Sequence, residues 1–135
     1  MSAVATRVGA FPAKRRLRRR ADFLRVQNSE VRVTTKHFVF LFATNEERSA
    51  SARIGIVATK RVGNAVIRNR IKRLVREAFR TLPTLFPNGI DLVVIGRVGT
   101  HLLSAEQVRE EWLSVERILQ KRANLALLEK GTKND

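Results

Sequence analysis

The sequence contains no cysteine. Disulfides, thiolate metal sites and cysteine nucleophiles are therefore excluded. No apolar run approaches the roughly 18–20 residues that cross a bilayer. The opening residues, MSAVATRVGAFPAK, lack the charged start and long apolar block of a secretory signal, so a cytoplasmic location is expected. Histidine is scarce, with only His37 and His101, in separate segments. A protein nuclease needs a metal-binding carboxylate cluster or a histidine acid–base pair. The two histidines read as solvent-facing or locally bonded. The acids gather late, at Glu106, Glu110, Glu111 and Glu116, where Glu106 and Glu110 have ordinary helical spacing. No catalytic residue and no dedicated metal site are expected in the protein itself.

Acid is scarce overall: 12 Asp and Glu against 27 Lys and Arg, a net charge of +15 on 135 residues. That length suits one domain, and 44% hydrophobic content is too high for a fully disordered chain. A small domain this basic repels itself, and the usual compensation is a polyanionic partner, nucleic acid or an anionic membrane surface. The excess is not spread evenly. Residues 1–36 hold ten basic and two acidic side chains, and residues 53–80 hold nine and one. Residues 97–135 hold seven and six, which is nearly neutral.

Along the chain, residues 1–13 read as a flexible segment, residues 14–129 as a single domain and residues 130–135 as a flexible tail. KRRLRRR (14–20) is a basic run that leads into a short helix over Ala21–Asn28, with Phe23 sharing a face with Val26 or Gln27. VRVTTKHFVFLFAT (31–44) predicts one or two strands. The period of two puts Phe38, Phe40 and Phe42 on one face and Val39, Leu41 and Ala43 on the other, so both faces must be at least partly covered. RIGIVATK (53–60) predicts the next strand, paired with its predecessor in a hairpin. DLVVIGR (91–97) predicts another. SAEQ (104–107) has the form of a capping box for a last helix, buried through Val108, Trp112, Val115 and Leu119.

Between the last two strands lies GNAVIRNRIKRLVREAFR (63–80). Asn64 suits the N-cap of a helix. On a helical wheel Ile67, Ile71, Leu74, Val75, Ala78, Phe79 and Leu82 form one apolar stripe. Arg68, Lys72, Arg76 and Arg80 form an i, i+4 ladder, with Asn69 and Arg73 beside it. Like charges at this spacing repel by a few tenths of a kcal/mol per pair. Only Glu77 is at hand to offset them. A membrane-surface role needs an exposed apolar face, which this stripe cannot supply because it fills a core. Phosphate is the better fit. Arginine outnumbers lysine here, and its planar fork suits bidentate phosphate contacts. Lys60, Arg61 and the unpaired N–H groups at the helix start add an anion site. On composition alone, a ribosomal or other structural RNA-binding protein remains the alternative.

RIGIVATKRVGNAVIRNRIKRLVREAFR (53–80) resembles the signature segment of the bacterial ribonuclease P protein subunit, centred on Arg68-Asn69-Arg70. RLRRRADFLRV (16–26), HFVFLFA (37–43) and DLVVIGR (91–97) extend the likeness over residues 14–100. The resemblance implies an α/β (α+β) two-layer sandwich like domain 2 of ribosomal protein S5, in the order α-β-β-β-α-β-α. It also implies a left-handed strand–helix–strand crossover, against the general right-handed rule. It implies a partnership with a large catalytic RNA that removes the 5′ leader of precursor tRNA. The RNA carries the active site and the required Mg2+, and the protein binds neither cofactor, small-molecule substrate nor membrane.

By position, the resemblance assigns Lys60, Arg61, Asn64, Arg68, Asn69, Arg70, Lys72, Arg73 and Arg76 to the RNA subunit. It assigns Phe23, Gln27, Val39 and Leu41 to a cleft for the single-stranded leader, and Lys14, Arg15, Arg16, Arg18 and Arg19 to further RNA contacts. Gln27 and Leu41 stand where aromatic residues are common in the family, and Asn28–Glu30 lacks a frequent glycine. The cleft is therefore expected to stack bases less and to rely more on van der Waals contact and hydrogen bonding.

Overall fold

A computed structural model describes residues 15–45 and 51–133. The expected flexible segment 1–13, together with Lys14, lies outside the described residues. The elements are α1 (Arg20–Gln27), β1 (Arg32–Thr34), β2 (Phe38–Thr44), β3 (Arg53–Val57), α2 (Ala65–Thr81), β4 (Ile90–Gly96), α3 (Ala105–Ser114) and α4 (Glu116–Lys133). Short 3-10 turns, Lys60–Val62 and Thr100–Leu102, precede α2 and α3.

The four strands lie in the order β1-β2-β4-β3. β2 runs antiparallel to β4 over its whole length, from Phe38 opposite Gly96 to Thr44 opposite Ile90. β3 is parallel to β4. The expected β2–β3 hairpin does not form, because β4 lies between them. β4 reads IDLVVIG and is buried along nearly its whole length, so it takes the centre, where both faces are covered. β3 is left at an edge, where the basic segment gives it partial cover: Arg16 bridges to Ile54 in parallel, and the Leu17 N–H donates to Ile54 O at 2.9 Å.

The alternation in β2 holds. Phe38, Phe40 and Phe42 are fully buried against the helical layer of α2, α3 and α4. Trp112 of α3 is the centre of that core, with ring centroids 5.2 Å from Phe40, 5.8 Å from Phe38 and 6.0 Å from Phe86. The stripe of α2 joins it through Ile71, Leu74, Val75, Ala78 and Phe79, with Ile67 and Leu82 half-buried at its ends. Gly96 lets α2 approach the sheet: a Cβ there would lie 2.6 Å from Ile71 Cγ2. On the opposite face Leu17, Val26, Leu41 and Val93 form a second, smaller core under α1.

Both expected caps are present. Asn64 Oδ1 accepts from Ile67 N at 3.0 Å, and Ser104 and Gln107 form a reciprocal capping box. The single last helix of the expected order is instead two, which adds a final α to the sequence of elements. α3 stops at Ser114, whose hydroxyl donates to Glu111 O at 2.6 Å, and the chain restarts in α4 after Val115. Val108, Trp112 and Leu119 are buried as expected, while Val115, at the break, is half-buried. α4 runs to Lys133, and of the expected tail 130–135 the last two residues lie outside the described residues.

Candidate nucleic-acid interface

α2 turns two unlike faces outward and inward because its apolar and basic residues keep separate helical registers. Arg68 and Lys72 are half-buried, and Asn69, Arg70, Arg73 and Arg76 are exposed. Lys60, Arg61 and Asn64, in the turn ahead of the helix, are exposed as well. Among the described residues Arg68, Lys72, Arg73 and Arg76 have no acidic partner. The last rung of the ladder differs. Arg80 Nη2 holds both oxygens of Glu77, at 2.7 and 2.8 Å, so the one acid of the helix neutralises its C-terminal cation.

The fold brings the second basic segment to this helix. Arg15 crosses to α2, with its guanidinium carbon 4.7 Å from the centroid of the Phe79 ring, and its Nε donates to Ala52 O at 3.3 Å. Partial burial lowers the Arg15 pKa. The Arg76 pKa is lowered by partial burial and then by repulsion from Arg16. That repulsion means residues 60 positions apart in sequence share one field. Arg18 and Arg19 stand exposed just before α1.

The other candidate group lies on the opposite face of the sheet. Partners in register point to the same side. Val39, Ile95 and Val57 therefore form one row across β2, β4 and β3, Leu41, Val93 and Gly55 the next, and Ala43, Asp91 and Arg53 the last. α1 crosses this surface. Phe23 lies on Gly55, where a Cβ would sit 2.5 Å from the ring, so only glycine admits the aromatic at that distance. Phe23 and Gln27 are half-buried, and Leu41 is buried beneath α1. Val39, Ile95 and Val57 remain half-exposed. The four residues assigned to the cleft thus share one face, with Leu41 as floor rather than as an accessible contact.

The cleft is pinned at one end only. Asp91 is fully buried and accepts from Arg25 Nη2 (2.6 Å), Arg53 Nε and Nη2 (2.9 and 2.8 Å) and Asn45 Nδ2 (3.2 Å). Arg25 Nη1 also donates to Thr44 O at 2.7 Å. This network fastens α1 over the Ala43–Asp91–Arg53 row. The opposite end stays open and is rimmed by cations, since Lys60 and Arg97 follow β3 and β4 there and Lys36 precedes β2. All three are exposed, and Arg97 Nη1 donates to Thr35 O at 2.8 Å. The residue-by-residue assignment missed Lys36, Arg97 and the Asp91 network. A signal for Asp91 existed: it shares the alternation of Val93 and Ile95, so in a covered strand it needs a buried partner.

His37 and Glu111 serve the scaffold. The Glu111 carboxylate accepts from the Thr35 hydroxyl (2.7 Å) and from His37 N (2.9 Å), and lies 2.6 Å from His37 Nδ1. Burial works to raise the Glu111 pKa, but these hydrogen bonds outweigh it and hold the carboxyl below its ordinary value. Among the described residues no three histidines or carboxylates gather to hold a metal ion. Among them, too, no helix is long and apolar enough to cross a membrane.

Comparison with known proteins gives this arrangement a family. The sequence profile of Ribonuclease P matches residues 11–121. The chain belongs to the Ribonuclease P protein family. The match takes in both basic segments and all four strands, and ends within α4. The Ribonuclease P protein component of Gluconacetobacter diazotrophicus is 49% identical over 86 residues, covering 63% of this chain and 73% of that protein. The Brevibacillus brevis component is 38% identical over 100 residues, covering 74% and 79%. Among solved structures, the RNase P protein of Thermotoga maritima superposes with a TM-score of 0.64 at 36% identity, covering 74% of this chain and 93% of that one. The Staphylococcus aureus RNase P protein gives 0.65 at 31%, covering 77% and 94%. The mixed α/β fold is therefore that of ribonuclease P proteins.

Proposed function

We propose that this chain is the protein subunit of a ribonuclease P, which binds the catalytic RNA subunit and the 5′ leader of precursor tRNA and so promotes removal of the leader. The observation that carries this reading is the pairing of two unlike surfaces on one small fold. α2 presents cations without acidic partners, and the far side of the sheet presents an apolar cleft that opens toward Lys36, Lys60 and Arg97.

Arg68, Asn69, Lys72, Arg73 and Arg76, with Lys60, Arg61 and Asn64, face the RNA subunit, and Arg15, Arg16, Arg18 and Arg19 extend the same field. The self-repulsion of the free protein falls when phosphates neutralise these groups and release counterions. The cleft suits a single strand. Bases contact Phe23, Gln27, Val39 and the neighbouring Val57 and Ile95, while the phosphates meet Lys36 and Arg97 at the open end. Such a grip is sequence-tolerant because every base offers an apolar face. Among the described residues no metal ligands converge. In this reading the RNA and substrate hold the Mg2+ of the holoenzyme, and the chemistry resides there.

Reconstitution tests this. The protein alone leaves precursor tRNA intact, and at low Mg2+ it stimulates cleavage by a bacterial ribonuclease P RNA. Absence of stimulation across a magnesium titration would overturn the assignment.

A further inference from the structure

Arg70 is the central arginine of the basic segment, yet its guanidinium is committed to the protein. Its Nε donates to His101 O at 2.8 Å and its Nη2 to Leu103 O at 3.1 Å. These two carbonyls flank Leu102. The same turn is tied at its other end by Thr100, which is fully buried and whose hydroxyl lies 2.9 Å from His37 O and 2.7 Å from Arg97 O and can donate to either. Leu103 packs on the main core and Ser104 caps α3. Leu102 is therefore held outward by a turn fixed at both ends, and it is 77% exposed. Val66, one helical turn before Arg70 on α2, is 76% exposed, and Val98, in the loop leading to the turn, is 71% exposed. These are the three most exposed large apolar side chains among the described residues. The Arg70 bonds bring Leu102 to the N-terminal half of the basic helix, on which Val66 also lies, and Arg61 stands in the turn just ahead of it.

We infer that Arg70 is a positioning residue, a clasp that presents Leu102 beside Val66 as an apolar contact for an unstacked nucleobase of the RNA whose phosphates lie on α2. This rests on the proposed RNA-subunit role of α2. A protein partner for the same patch is less suited, because the cations around it favour a polyanion and a nucleobase offers both the flat apolar face and the charge that comes with its strand. The division of labour is then local: Arg68, Lys72, Arg73 and Arg76 supply electrostatic attraction, and Arg70 spends its hydrogen bonds on shape.

The test is the salt dependence of binding to a bacterial ribonuclease P RNA, measured with the full chain and with variants whose thermal unfolding matches the parent. Arg73→Ala is expected to lower affinity and to reduce the salt slope by about one phosphate contact. Leu102→Ser and Val66→Ser are each expected to lower affinity about three- to tenfold with the slope unchanged. Arg70→Lys keeps the charge but cannot hold two carbonyls in a fork, so it should lose affinity as Leu102→Ser does. Rescue by Arg70→Lys would make Arg70 a phosphate ligand and overturn the clasp. Parental affinity in both Leu102→Ser and Val66→Ser would overturn the base contact. If the parent chain itself failed to bind the RNA, the proposed function would fall first, and the result would be recognisable as that.

Discussion

Strand β2 serves two cores at once, and the two sides of the sheet are finished differently. On one side Phe38, Phe40 and Phe42 meet Trp112, Phe79 and Phe86 and are closed over by three helices. On the other, Val39, Leu41 and Ala43 meet one short helix, fastened at the Asp91 end and open at the other. Large aromatic groups fill the closed side, and smaller aliphatic groups line the open one. The difference separates stability from binding. In the proposed role the open surface accepts a strand of RNA, so it cannot also be filled by the protein's own side chains, and the dense core behind it offsets the cost of leaving it open.

The two sides should respond differently to substitution. The largest effect is expected at Trp112, whose truncation to alanine empties the centre of the closed core. Trp112→Ala should cost about 3–5 kcal/mol in equilibrium denaturation. A cost near that of an exposed site would mean that the aromatic cluster does not carry the fold. Next comes the pin. Asp91→Ala removes the acceptor shared by Arg25 and Arg53 and leaves two cations over a covered surface. It should cost about 3 kcal/mol and speed amide exchange in α1 before exchange in α2. Uniform acceleration across both helices would show that Asp91 supports the whole sheet rather than the cleft alone.

A smaller effect concerns pH. The folded-state pKa of Glu111 lies below its unfolded value of about 4.3. Its contribution is therefore present above that unfolded value and lost as pH falls through the folded one. The stability gap between the parent chain and Glu111→Gln should be widest near neutrality and shrink as pH falls below the ordinary carboxylate range. A gap that grows on acidification would contradict the hydrogen-bonded carboxylate seen between Thr35 and His37.

What the sequence disclosed follows the same division between local and distant causes. The faces of β2, the stripe of α2, the Asn64 cap and the Ser104–Gln107 box are readable because each depends on residues within a few positions of one another. The pairing of β2 with β4 was not readable, because it depends on which strand wins the centre of the sheet. The polar stretch NEERSASA (45–52) carries no information about that competition. The break at Val115 escaped notice because its apolar spacing is continuous with Trp112 and Leu119. The candidate interface was legible as charge, while the use made of each charge was not. Arg70, Arg73 and Arg80 are all basic residues of one short segment, yet Arg80 is held by Glu77 and Arg70 by two carbonyls of a turn about thirty residues away. Only the tertiary fold distinguishes Arg73, which has no acidic partner among the described residues, from Arg70 and Arg80, whose side chains the protein holds.

The central claim is that the basic helix and the apolar cleft bind different RNAs, the RNA subunit and the leader of precursor tRNA. It is tested most directly by measuring the affinity of the reconstituted holoenzyme for precursor tRNAs with leaders of increasing length, using Phe23→Ala and Arg73→Ala in parallel. The account predicts that Phe23→Ala weakens binding by about tenfold once the leader is long enough to reach the cleft, and leaves mature tRNA unaffected. It predicts that Arg73→Ala weakens assembly with the RNA subunit and, once assembly is saturated, shows the parental dependence on leader length. The same leader dependence in both variants would contradict the separation of the two surfaces.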